Sequence, residues 1–236
     1  MYTQVLRQHI EPMPLSVAFK DQLSSADQLQ AYSFYLELPQ LLAPLFPSVS
    51  SAQLLQLSVN NYLYFRGVTI IEQLFEQPGG PTAPQLHDLL TLQEYAVRGL
   101  TSLFAPQDDF WLYFKRCQQR YAAAHLQLKN RILPVQQLDE EEFEELAAGM
   151  SAICFAIVHA MASLNQQGCS MQPLLDCLTS INLAGQYTSS AYAQAAPQGQ
   201  EHYERSLELA HQLGLPQLSS YLQQQMGSYW MRQQVA

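Results

Sequence analysis

Apolar residues recur at spacings of three and four along almost the whole chain, and strand-like alternation is nearly absent. A helix turns once every 3.6 residues, so this spacing builds one apolar stripe per segment and commits the chain to an all-α fold. Pro and Gly clusters cut the pattern into helix-sized pieces. The spacing predicts helices over Ser16–Gln30, Gln30–Ala43, Ser50–Glu76, Ala83–Phe104, Gln107–Ile132, Asp139–Asn165, Met171–Gln194, Gly199–Leu213 and Pro216–Arg232. Pro44 and Pro47 ahead of Ser48–Ser51, the run Gln77-Pro78-Gly79-Gly80-Pro81, and Pro134 supply the boundaries.

A chain of 236 residues can bury roughly 70–75% of its unfolded surface, enough for one sizeable core. The expectation is a single helical domain over 1–236, with N-terminal helices in 1–49 and the main bundle in 50–232. No repeat period emerges. The chain is 48% hydrophobic and only 13% charged, with a net charge of -9, so Gln and Ser supply much of its polar surface. With eleven Lys and Arg in all, it lacks the basic patches that nucleic acid or an anionic membrane requires. Neither a signal-type apolar run nor an eighteen-residue apolar span is present, and the expected location is the cytoplasm.

Cys117, Cys154, Cys169 and Cys177 lack CxxC spacing and read as structural thiols. The six histidines are dispersed, and His159, on an apolar helix, reads as a core residue. P-loop, GxGxxG, GxSxG and HExxH signatures are all missing. The acidic run Asp139–Glu145 opens a helix, where the dipole favours negative charge, and reads as a solvated helix start. Lys115, Arg116, Arg120, Lys129 and Arg131 gather on one helix and its end. They suit either an exposed face paired with that acidic run or a cradle for an anion. Arg66 stands out within an apolar run, because a buried guanidinium generally requires a carboxylate or a ligand anion beside it.

Three stretches carry a resemblance. The segment Asn60-Asn61-Tyr-Leu-Tyr-Phe-Arg-Gly-Val-Thr-Ile-Ile-Glu72-Gln73-Leu-Phe-Glu76 ends with carboxylates at i and i+4, on one helix face, as a DDxxD-type motif does to hold magnesium. Ala147-Ala148-Gly149-Met150-Ser151-Ala152 is similar to an AAGKTA-like stretch, with Met150 at the lysine position. Ile181-Asn182-Leu-Ala-Gly-Gln186-Tyr-Thr-Ser189-Ser190-Ala-Tyr-Ala193 is similar to a second aspartate-rich helix, with Ser189, Ser190 and Ala193 in place of the aspartates. Together with helix order over residues 50–230 and the aromatic opening Phe110-Trp111, these resemble the class I isoprenoid synthases, the superfamily of terpene and polyprenyl synthases.

The resemblance implies an isoprenoid-synthase-like bundle with an apolar pocket for a prenyl or terpenoid compound. Tyr64, Phe65, Val68, Met150, Ile153, Cys154 and Ile157 would line it, although the same stripe serves equally as core. It also implies that Glu72 and Glu76 would hold a weak magnesium ion or act as base, that Arg66 would face an anion, and that Asn182, Gln186, Ser189 and Ser190 would offer neutral hydrogen bonds. A thioether at Met150 cannot neutralise a phosphate, and serines cannot replace three aspartates as metal ligands. The expected function is therefore divergent: an atypical cyclase or transferase, or a non-catalytic homologue. The alternatives are a helical interaction module that binds a partner chain, with a homodimer open, and another helical enzyme bundle.

Overall fold

The computed structural model describes residues 2–76, 80–131, 139–165, 170–188 and 196–225, and every described regular element is helical. The helices are α1 (Tyr2–Ile10), α2 (Val17–Ser24), α3 (Ala26–Ala31), α4 (Ser33–Leu42), α5 (Ser51–Glu76), α6 (Ala83–Thr101), α7 (Phe110–Arg131), α8 (Glu140–Met150), α9 (Ala152–Leu164), α10 (Gln172–Tyr187), α11 (Ala196–Gln212) and α12 (Pro216–Gln225). A 3-10 turn covers Ala43–Leu45. No single helix among the described residues is long and apolar enough to cross a membrane. Only α8 and α9 taken together, across a 41° bend, reach that length and apolarity.

Within the described residues the predicted helices appear, with three differences, while positions 132, 189–194 and 226–232 of the expected spans lie outside them. Ser16–Gln30 divides at Ser25, whose hydroxyl accepts the Gln28 N–H and starts α3 anew. Ser and Thr side chains compete locally with the helical ladder in this way. Asp139–Asn165 divides at Ser151, where the N–H of Ser151 tightens to Ala148 O and its hydroxyl bonds back to Ala147 O. The N-terminal helix α1 is additional, with Leu6 and Ile10 on its buried side and Arg7 and His9 in its last turn.

The chain forms two compact units. The first comprises residues 1–40 and 49–108. Its core gathers Leu6, Phe19, Leu23, Leu36, Tyr62, Leu63, Ile70 and Leu92 from α1, α2, α4, α5 and α6. The 26-residue α5 is about 39 Å long and pairs with α6. Small residues let polar side chains close over the crossing. Gln93 lies on Gly67 and donates to Tyr64 O at 3.2 Å, while Asn60 lies on Gly99, whose carbonyl accepts from Gln56 at 3.0 Å. Asp88 on α6 reaches the start of α2. Its carboxylate accepts the Ser16 N–H at 2.8 Å and the Ser16 hydroxyl at 2.6 Å.

The second unit comprises residues 41–48 and 109–236. Its α9 is buried along nearly its whole length, from Ala152 to Met161, because the helix is apolar all round. Helix α7 packs on α8 and α9, and α10 packs on α8 and α11. Gly149 of α8 lies against Ala124 of α7, where a Cβ would meet the Ala124 Cβ at 2.6 Å. The α11–α12 corner turns at Gly214 (φ +68°), with the Leu215 N–H returning to Ala210 O. A left-handed glycine followed by such a bond satisfies the last carbonyls of a helix before Pro216 opens the next.

Candidate functional site

The residues expected to form one pocket belong to both units. Tyr64, Phe65, Arg66, Val68, Glu72 and Glu76 lie on α5 in the first; Met150, Ile153, Cys154, Ile157, Asn182 and Gln186 lie on α8, α9 and α10 in the second. Ser189 and Ser190 lie outside the described residues, as do Cys169 and the side chains of Glu76, Lys129 and Arg131.

In the first unit Arg66 is the largest fully buried side chain, with 0% exposure. Its guanidinium lies 4.0 Å from the centroid of the Tyr32 ring, and Nη1 donates to Thr69 Oγ1 at 2.8 Å. Its Nε and Nη2 are buried, and the Tyr62 hydroxyl lies beside the guanidinium. Tyr62, one turn before Arg66, donates its hydroxyl to Leu23 O at 2.7 Å; burial pushes that hydroxyl up to about 12 while the Arg66 charge pulls it down. Phe65 is buried and stacks on Tyr35, with ring centroids 3.3 Å apart, and Tyr32 lies 5.9 Å from Phe65. Tyr64, Val68 and Glu72 are half-buried. The Tyr32 ring thus covers one face of this buried cation, and the face of a ring is the surface a desolvated cation prefers.

In the second unit the expected ligand contacts are engaged in packing. Ile153, Cys154 and Ile157 are buried. Burial pushes the Cys154 thiol up to about 12 and the Cys177 thiol likewise, so both are neutral structural thiols at ordinary pH. Asn182 donates to Ala147 O at 2.6 Å and ties α10 to α8. Met150 and Gln186 are half-buried. The Ala147–Ala148–Gly149 run therefore brings helices together: Ala147 is fully buried, and Gly149 admits Ala124.

One cluster had no sequence signal. Glu144 Oε1 accepts from His202 Nε2 at 2.8 Å and from the Tyr187 hydroxyl at 3.3 Å, joining α8, α11 and α10. The His202 and Tyr187 rings stack at 5.9 Å. Residues 58 positions apart, each ordinary in its own helix, carry no local pattern. The rest of the acidic run behaves as a helix start, with Asp139 Oδ1 accepting the Glu142 N–H at 2.8 Å and Glu140 and Glu141 exposed. Lys115, Arg116 and Arg120 are exposed, and among the described residues none forms an ion pair with that run; Arg120 lies over the Phe155 ring instead, 5.6 Å from its centroid. His159 is half-buried and stacks flat on Tyr113 at 4.4 Å, with burial holding its imidazole below the ordinary range.

For magnesium, the donor set is thin. Among the described residues no three His, Cys, Asp or Glu side chains converge on one point. Glu72 with Glu76 would supply two carboxylates, too few for the octahedral oxygen cage that magnesium demands without several retained waters. No protein-family model, curated protein or solved structure matches the chain.

Proposed function

We propose that this chain is a divergent, isoprenoid-synthase-like helical protein that binds an apolar prenyl or terpenoid compound without magnesium-assisted ionisation of a diphosphate. The observation that carries this reading is the use made of the AAGMSA stretch and Asn182. In the resembled family a lysine at the position of Met150 helps hold the diphosphate. Here Gly149 and Ala147 are packing surfaces and Asn182 bonds to the Ala147 carbonyl. Met150 brings no charge, and ionising a diphosphate asks for several kcal/mol of charge stabilisation that metal ions ordinarily supply. Glu72 and Glu76 would hold at most a weakly bound magnesium ion. The apolar character of α9, with Ile153, Cys154 and Ile157, supports an apolar ligand, which gains about 25 cal/mol for each Å² it removes from water.

The direct chemical check is release of inorganic diphosphate from farnesyl diphosphate in the presence of magnesium. The expected result is no release above the protein-free rate. Release that Glu72→Ala abolishes would restore a conventional synthase mechanism.

Helix α7 favours a second reading. It turns Leu112 and Leu126 outward, 49% and 59% exposed, beside the exposed Lys115, Arg116 and Arg120. A partner chain with an acidic, partly apolar helix would match that face, and this is the interaction-module alternative.

A further inference from the structure

We propose that this chain pairs with a second copy of itself through the outer face of α7, in an antiparallel two-fold arrangement centred on Gln119. The inference rests on the reading of α7 as an interaction face and names the partner as this same chain.

Leu112, Lys115 and Arg116 precede Gln119, and Ala122, Ala123 and Leu126 follow it, at spacings of three and four. With about 100° of turn per residue, all of them fall within roughly 60° of Gln119 on one side of the helix. Every one is exposed, Leu112 at 49% and Leu126 at 59%, while the opposite side of α7 buries Phe110, Phe114, Cys117 and Ala124. That inner side already packs on α8 and α9. A second stripe of heptad spacing on the outer side is the pattern of a helix that accepts another helix alongside it.

The outer stripe is symmetric about its centre. Leu112 and Leu126 each lie seven positions from Gln119, and Lys115 and Arg116 mirror Ala123 and Ala122. A two-fold axis through Gln119 therefore sets Leu112 of each copy against Leu126 of the other. It also sets each basic pair opposite two alanines, whose short side chains leave room for the long stems of Lys and Arg to lie on their methyl groups. A closed pair uses the same patch on both copies, so a patch that matches its own reverse is what self-pairing requires and an unrelated partner does not.

Charge agrees with this arrangement. A net charge of -9 makes two copies repel, but the outer stripe of α7 carries two cations and no carboxylate. The basic pairs of the two copies lie on opposite sides of the axis, about 10 Å apart along the helices, beyond the Debye length of about 8 Å at physiological salt. Each pair faces the C-terminal half of the other α7, the negative end of its dipole, which leads after eight residues into the exposed Glu140 and Glu141 of α8. From Leu112 to Leu126 the stripe is about 21 Å long, which places the contact at the small end of protein interfaces and its dissociation constant in the micromolar range.

The test is sedimentation equilibrium of the full chain from about 1 to 100 µM, a range that brackets such a constant. The expected result is a rise from one chain mass to two. Leu126→Glu, at an exposed position, should weaken the pairing at least tenfold with an unchanged melting temperature of the dilute protein. Gln119→Cys should give a covalent dimer under mild oxidation by oxidised glutathione, whereas the wild-type chain and Val17→Cys, exposed on α2, should not. A dimer that Leu126→Glu leaves intact, or that Gln119→Cys does not cross-link, would overturn the antiparallel α7 pairing. A chain that stays monomeric but binds a synthetic Leu- and Glu-rich helical peptide, with binding lost in Leu126→Glu, would overturn self-pairing and keep α7 as an interaction face. A monomer that does not bind the peptide would overturn both.

Discussion

Gly149→Leu should cost the second unit about 3 kcal/mol or more, read as a lower urea midpoint with an unchanged slope. A Cβ added at Gly149 would meet the Ala124 Cβ at 2.6 Å, well inside contact distance. Neither partner can yield by a rotamer change, since Ala124 has no χ angle, so α7 and α8 must separate. Leucine then adds three more carbons to the same gap. Gly149→Ala is the milder case, because alanine recovers about 1 kcal/mol of helix propensity over glycine. Combining Gly149→Ala with Ala124→Gly should restore most of the loss, since the pair shares one contact and its effects are coupled. A Gly149→Leu protein as stable as wild type would show that the α7–α8 approach is not this close.

Asp88→Ala should cost roughly 2–4 kcal/mol, the second large effect. Asp88 is 6% exposed and accepts both the backbone N–H and the hydroxyl of Ser16. Removing it takes away two charge-assisted hydrogen bonds that tie the exposed Ser16 at the start of α2 to α6, and the hydroxyl of Ser16 also caps α2 through the Phe19 N–H. Asp88→Asn keeps the size and one acceptor oxygen, so its loss should be about half. Faster hydrogen exchange confined to α1 and α2 would accompany either change, and an unchanged urea midpoint in Asp88→Ala would contradict the pairing.

The long elements were legible because their signals are strictly local. Helix α5 begins where Ser50 caps Gln53, and α6 begins at Thr82 with Gln85 reaching back, each a spacing of three readable in the chain. The breaks at Ser25 and Ser151 were not legible, since each depends on which acceptor a serine hydroxyl finds once its neighbours are packed. Arg66 could be singled out as a cation in an apolar run, but not the stack on Tyr32, which lies 34 positions away on the border of α3 and α4. The helix contacts at Ala147–Gly149 were not legible either. Small residues let helices approach, and the Gly149–Ala124 and Asn182–Ala147 contacts join helices that no local spacing pairs. The Glu144–Tyr187–His202 junction brings together three helices, and no spacing rule reaches across them.

The central claim is that the ligand is an apolar isoprenoid held without diphosphate chemistry, and thermal unfolding of the full chain tests it most directly. A ligand that binds the native state raises the melting temperature by mass action, about 2.7 kcal/mol at one hundred times its dissociation constant. Farnesol should therefore raise the melting temperature at least as much as farnesyl diphosphate, with or without magnesium. A larger shift with the diphosphate that requires magnesium would contradict the account, and no shift with either compound would transfer the function to the exposed face of α7.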